Sequence, residues 1–361
     1  MLLYITDCDL NWPGYVGVRK KIMAQIEAFE NVFGRVYYTI WSWQIAYLMD
    51  KDKVIQKEAA VTREDLIHVL IQWIQAYQVK HTYIRYIHAN ISCIKLLKYQ
   101  KENNIKTVIE IPTYPYDGEI PYGRHKIEDI YYRNEIISYI DIFTTYTKDK
   151  EIWGKPCIQL NNGVSAQKLP MANHMKRNKE IVMVAVASMA PWHGYERIIS
   201  GLHNYYKNGG DWKLSFKLVG EGAELKKYRE LSKKYELQSY IEFTGTLEGN
   251  ALTEIFNDSD IGITALGFYK TGLRNGSPIK GAEYCARGIP VICGYEDLRF
   301  SNNEFFVLHV PNDDTPIDMN EVIRFYEHLC MQKDFKEQIR DYAVKYLTWD
   351  SIMKPVIDYL Q

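Results

Sequence analysis

Short apolar runs alternate with longer helix-like stretches through almost the whole chain, and the alternation stops once and starts again. Few folds satisfy that pattern. Strands apolar on both faces need cover on both sides, and intervening helices supply it, so parallel sheets flanked by helices are expected. In the first half, strands are expected at residues 2–6, 35–40, 82–87, 107–111, 140–144 and 157–160, with helices at 18–33, 63–77, 91–102 and 127–138. Residues 166–180 are polar, carry Pro170 and a basic cluster (Lys176, Arg177, Lys179) and show no period, which marks a linker. Strands then return at 181–187, 214–219, 241–244, 261–264 and 291–293, and helices at 195–206, 225–235, 252–256 and 279–287. A helical tail runs from 319 to 361 and breaks near 348–350. At 361 residues the chain also exceeds the size at which one core stops growing, roughly 250–300 residues. The α/β expectation is two doubly wound, Rossmann-like domains, 1–165 and 181–348, in which ligands sit outside the carboxyl ends of the strands.

Composition narrows the function. Lys plus Arg is 44 and Asp plus Glu is 45, so a dedicated nucleic-acid binder, with its basic excess, is not expected. The cysteines at 8, 93, 157, 285, 293 and 330 form no C-x-x-C pair, and several sit in apolar stretches, as free thiols do in a reducing compartment. Met1-Leu2-Leu3-Tyr4-Ile5 leads straight to Asp7 and Asp9, unlike a secretory leader. The longest apolar run, 181–190, is about half the ~20 residues needed to span a bilayer. A cytoplasmic protein is expected.

Three loops have the chemistry to hold an anionic ligand. Gly220-Glu221-Gly222 closes a strand and opens a helix, where glycine lets backbone N–H groups approach a ligand. Leu225 stands where the dinucleotide fingerprint needs a third glycine, so a nicotinamide or flavin cofactor is not expected. Asn275-Gly276-Ser277-Pro278-Ile279-Lys280 follows a flexible loop and starts a helix, with Ser277 as N-cap and Pro278 in the first turn. Lys280 and Glu283 share one face of that helix, as an intrahelical pair or as ligand-binding groups. Gly14 and Gly17 precede a helix opened by Arg19, Lys20 and Lys21, which oppose its dipole and hint at an anionic partner. A solvated face is the plainer reading for at least two of the three.

In order and spacing, these segments resemble the family 4 retaining glycosyltransferases of GT-B architecture. The carriers are Asn162-Gly163-Val164, Trp192-His193-Gly194-Tyr195-Glu196-Arg197, Val219-Gly220-Glu221-Gly222, Phe243-Thr244-Gly245, Asp260-Ile261-Gly262, Ser277-Pro278-Ile279-Lys280 with Glu283-Tyr284, and Gly288-Ile289-Pro290-Val291-Ile292. Glu110-Ile111-Pro112-Thr113-Tyr114-Pro115-Tyr116-Asp117 is similar to a segment of bacterial polysaccharide-assembly members.

The resemblance implies two Rossmann-like domains facing across a cleft, with a final helix (about 349–361) crossing back to the first. It implies transfer of a hexose, with retention, from a nucleotide-sugar to a glycan or lipid-linked acceptor, with uracil favoured and neither metal nor organic cofactor required. Glu283 would bind the ribose. Asn275 stands where the family has a glutamate at the donor sugar, and His193 where it has a lysine that steadies the diphosphate. His193 does so only when protonated, and its reference pKa is near 6.5. Lys280 and Arg274 are the local substitutes for a missing arginine. Gly14, Gly17, Gly220, Gly222, Gly245, Gly276, Ser277, Pro278 and Ile279 complete the donor side, and Tyr114, Tyr116 and Tyr122 are acceptor candidates. Arg19, Lys20 and Lys21 would favour peripheral contact with an anionic membrane.

The strings Asp7-Cys8-Asp9, Asp50-Lys51-Asp52 and Asp258-Ser259-Asp260 are the places to look for a metal. A nucleotide-sugar epimerase and a non-catalytic partner of another transferase are the competing readings. Donor turnover separates the last from the other two.

Overall fold

A computed structural model describes residues 1–12, 15–86, 88–112, 114–118, 123–173, 178–300 and 304–361. They form two compact units: Met1–Asn161 with Trp349–Gln361, and Asn162–Thr348.

The first unit runs β1 (Leu2–Ile5), α1 (Val16–Phe33), β2 (Val36–Ser42), β3 (Ile45–Asp50), β4 (Lys53–Ala59), α2 (Arg63–Ala76), β5 (His81–Arg85), α3 (Ile91–Glu102), β6 (Lys106–Ile111), α4 (Arg124–Ser138), β7 (Ile142–Thr145), β8 (Glu151–Ile152) and β9 (Lys155–Gln159). The sheet order is β4-β3-β2-β1-β5-β6-β7-β9-β8. From β2 through β9 the long strands are parallel. Helices begin where side chains satisfy their free N–H groups. Thr62 and Asp65 form a reciprocal cap on α2, and Asn90 accepts from Ser92 and Cys93 on α3. The helix Trp349–Leu360 belongs to this unit, where Met353, Val356 and Leu360 join Ile22, Ile26 and Phe29 of α1 in one core.

The antiparallel hairpin β3–β4 is not anticipated by the sequence reading. β4 is exposed along almost its whole length, so it lacks the apolar run that betrays a buried strand; its lysines guard the sheet edge.

The second unit runs β10 (Glu180–Val186), α5 (Glu196–Lys207), β11 (Lys213–Val219), α6 (Leu225–Lys234), β12 (Ile241–Gly245), α7 (Gly249–Asn257), β13 (Ile261–Ile263), β14 (Asn275–Gly276), α8 (Ile279–Ala286), β15 (Val291–Cys293), β16 (Glu296–Asp297), β17 (Val307–His309), α9 (Met319–Met331) and α10 (Phe335–Tyr346). Its main sheet is parallel, in the order β12-β11-β10-β13-β15-β17. The three-residue β17 is too short to read from periodicity. Residues 166–173, within the expected linker, pack in this unit: Ala166 and Ala172 are buried in its core, and Arg340 bonds the Ala166 carbonyl. No helix among the described residues is long and apolar enough to cross a membrane.

Candidate functional site

In the second unit the chain passes from β10 to β11 on one side and to β13 on the other, so the sheet order reverses at β10. Outside the carboxyl ends at such a reversal lies the usual ligand crevice of a doubly wound sheet. The loop after β10 reaches Met189, then makes a short turn, Pro191–His193. Two glycines let it sit there. Gly220 has φ +122°, and a Cβ would lie 2.0 Å from the Ala187 carbonyl oxygen. Gly194 has φ +64°, and a Cβ would meet the Gly267 backbone at 2.6 Å. The close approach is sealed by Leu266 N–H to the His193 carbonyl, 2.8 Å.

The N–H of Gly220 already donates to the Gly245 carbonyl at 2.8 Å, so Gly220 serves loop packing rather than presenting that N–H to a ligand. Gly220→Ala is expected to destabilise the protein by roughly 1–3 kcal/mol, read as a lower urea midpoint at unchanged m-value.

His193 is buried, with its Nδ1 accepting from the Ala190 N–H at 3.0 Å. Its proton is therefore on Nε2 in the neutral ring. Burial, reinforced by the nearby Lys280 charge, pulls its pKa down to about 3. The protonation on which a cationic role depends is disfavoured in the unliganded protein, where the neutral ring has a hydrogen bond to donate from Nε2. Its ring stacks on Tyr195, 5.4 Å between centroids and 16° from parallel.

Lys280 projects from the first turn of α8 and donates to the Tyr195 hydroxyl at 3.3 Å. Among the described residues no carboxylate lies within ion-pair distance of it. Burial alone lowers its pKa to about 7. Of the two readings of Lys280 and Glu283, the intrahelical pair does not form: Glu283 takes Arg287, 3.3 Å away at i+4.

Ser277 is not the N-cap. Its hydroxyl and carbonyl hold Asn162, at 3.3 and 3.1 Å, and Pro278 takes the cap position with no side chain sealing the first turn. The amino end of α8 is held instead by a fully buried ion pair. Arg299 bonds Asp297 at 2.7 Å, the Pro278 carbonyl at 2.7 Å and the Asn162 carbonyl at 3.2 Å. Gly276 and Asn275 pair with Asp297 and Glu296 in the small parallel sheet β14–β16. Arg274 is exposed beside them.

This places His193, Lys280, Asn275, Gly276, Pro278, Ile279 and Glu283 on the elements that follow β10 and β13. Gly222 lies in the loop after β11, and Gly245 ends the neighbouring β12. Tyr195, Asp297 and Arg299 were missed by the sequence reading. Tyr195 sits inside the Trp192–Arg197 motif and could have been flagged. The ion pair gave no signal.

In the first unit, Gly17 lies exposed in the first turn of α1, and Gly14 and Tyr122 fall outside the described residues. Tyr116 packs edge-on against Tyr86 at 4.7 Å, and Tyr114 against Trp153 at 6.3 Å. Lys21 turns inward and leaves Arg19 and Lys20 exposed, as the solvated-face reading has it for two of the three. Five of the six aspartates of the D-x-D strings are engaged. Asp7 pairs with Arg63, Asp9 accepts from Ser42, Asp50 pairs with Arg35, Asp258 pairs with Lys217, and Asp260 accepts from Val182 N–H and the Tyr326 hydroxyl.

Residues 168–299 match the family described as "Glycosyl transferases group 1". No curated protein matches the chain significantly. Among solved structures, it is similar to a glycosyltransferase from Rickettsia africae (12% identity, TM-score 0.63, covering 99% of this chain and 97% of that one). It is also similar to the lipopolysaccharide outer core galactosyltransferase WaaB (14%, 0.61, 99% of both). A third is Anabaena HepE in complex with UDP and glucose (10%, 0.59, 99% and 98%). At these identities the likeness speaks for the fold, and the α/β architecture is the GT-B one. The similarity to the group 1 glycosyl transferases rests on the match over residues 168–299, within the second unit.

Proposed function

We propose that this protein is a retaining glycosyltransferase that moves a hexose from a nucleotide-sugar, with UDP favoured, to a glycan or lipid-linked acceptor in cell-surface polysaccharide synthesis. One observation carries the reading: Lys280 is a half-buried cation without an acidic partner among the described residues, at the unsealed amino end of α8. A diphosphate there would gain the ammonium and the free N–H groups of the helix end together. HepE, of the same fold, has been crystallised with UDP and with UDP-glucose.

In this reading the diphosphate leaves as the acceptor hydroxyl approaches on the same face of the sugar, and it takes the acceptor's proton. The protein's work is to stabilise charge growing on the diphosphate and to hold the reactants together. Lys280 supplies the charge, neutral His193 a donated hydrogen bond, and Asn275 an uncharged contact for the sugar. Glu283 takes the ribose hydroxyls.

A titration of UDP, GDP and ADP by calorimetry, without metal, tests the donor side. UDP is expected to bind, and Glu283→Ala to weaken it at least tenfold, about 1.4 kcal/mol. Absence of nucleotide binding by the folded protein would sink the reading. Neutral His193 and uncharged Asn275 also suit a nucleotide-binding partner without catalysis; release of UDP from a UDP-sugar in the presence of acceptor decides between the two.

A further inference from the structure

The first unit has its own reversal of strand order. The chain leaves β1 for β2 on one side and reaches β5 on the other. At the carboxyl end of that pair, Arg85 closes β5, and Lys21 points in from the second turn of α1. Both reach the same carboxylate oxygen, Oε1 of the fully buried Glu110, Arg85 at 2.6 Å and Lys21 at 4.0 Å. The other oxygen is saturated. It accepts from Gln25 at 2.7 Å, Tyr83 at 2.7 Å and Tyr146 at 3.0 Å. Tyr4 donates to Gln25 at 2.8 Å, so the polar network is closed beneath. The ammonium of Lys21 lies 3.2 Å from the centre of the Tyr146 ring.

The charges do not balance. Two cations share one carboxylate, and the neighbouring acid, Asp7, is held by Arg63 at 2.6 Å. One positive charge is left over in a largely desolvated place, which is costly unless an anion completes it. Burial pulls the Lys21 pKa down to about 8, opposed by Glu110 and reinforced by Arg85. The side chains of Lys21 and Arg85 keep 14% and 15% of their surface accessible, so the excess charge opens to solvent from one side. A purely structural network would need one cation.

We propose that Lys21 and Arg85 form an anion seat in the first unit that takes a phosphate or diphosphate group. Taken with the transferase reading above, on which this assignment of source rests, the group belongs to a phosphorylated acceptor or to the diphosphate of the nucleotide. The seat itself stands on the charge excess and its place at the strand reversal.

Calorimetric titration with inorganic pyrophosphate tests it, on the full chain, with and without saturating UDP. The expected result is that Lys21→Gln weakens pyrophosphate at least tenfold, while Lys21→Arg stays within about threefold of wild type. Thermal melts of both variants show that each is folded. Pyrophosphate that still binds beside saturating UDP assigns the seat to the acceptor. Loss of pyrophosphate binding under UDP, with UDP itself weakened by Lys21→Gln, assigns it to the nucleotide. A folded Lys21→Gln protein that binds pyrophosphate as wild type does overturns the proposal. If UDP does not bind at all, the donor-site reading falls, and the comparison in free protein still decides the seat.

Discussion

UDP affinity should fall as pH rises above 7, approaching tenfold per pH unit, and Lys280→Arg should abolish that dependence up to at least pH 9. The sign follows from linkage. In the free protein the Lys280 pKa is lowered to about 7, so above that pH the ammonium loses its proton before ligand arrives. A bound diphosphate favours the charged form, so binding takes up a proton, and each pH unit above 7 costs up to a factor of ten. Neither close neighbour blurs this window. His193 is already neutral, with its pKa down at about 3, and burial holds the Tyr195 hydroxyl well above 10. Arginine stays protonated throughout. Turnover should suffer more than binding. Lys280→Ala is expected to lower kcat by roughly 10²–10³, the usual effect of removing one group that meets developing charge. Calorimetry from pH 6.5 to 9 and initial rates of UDP release check both, and a flat wild-type profile would refute the role. The unliganded protein should show the opposite trend from this group. Its folded pKa lies below the unfolded value of about 10.4, so the unfolded chain binds more protons between those limits and stability rises with pH there.

Cutting the Asp297–Arg299 pair should be the most destabilising change in the second unit. Both side chains are fully buried, and Arg299 also ties the Pro278 and Asn162 carbonyls. Tyr295 shares Asp297, donating at 3.1 Å. Removing either partner strands a charge away from water, which costs about 3–5 kcal/mol. For a unit of this size that is a fall in Tm of roughly 6–20 °C. Asp297→Ala and Arg299→Ala should therefore both melt early. The double change to apolar residues should recover part of the loss, because no lone charge remains. Nucleotide affinity should not recover with it, since the amino end of α8 loses its anchor in all three. Scanning calorimetry with UDP titration separates the two effects. Affinity that returns with stability would show that the pair serves folding alone.

Local pattern made the α/β class legible. The strands β1 and β10 stand where apolar runs of four to seven residues put them, because burial on both faces demands continuous hydrophobicity, and β11 stands where the alternation of Leu214, Phe216 and Leu218 puts it. The order of the motifs also made the similarity to group 1 glycosyl transferases legible. What the sequence could not reveal depends on residues distant along the chain. Whether Ser277 caps α8 turns on Asn162, 115 positions away. Which of Arg19, Lys20 and Lys21 faces inward turns on Glu110, whose carboxylate only the folded sheet brings beneath α1. That His193 favours the neutral form, and that Lys280 has no acidic partner among the described residues, follow from burial and from Glu283 finding Arg287, and neither is a property of spacing. Hydrophobic periodicity is local and so survives in the sequence; desolvation and charge balance are sums over neighbours that only the tertiary structure assembles.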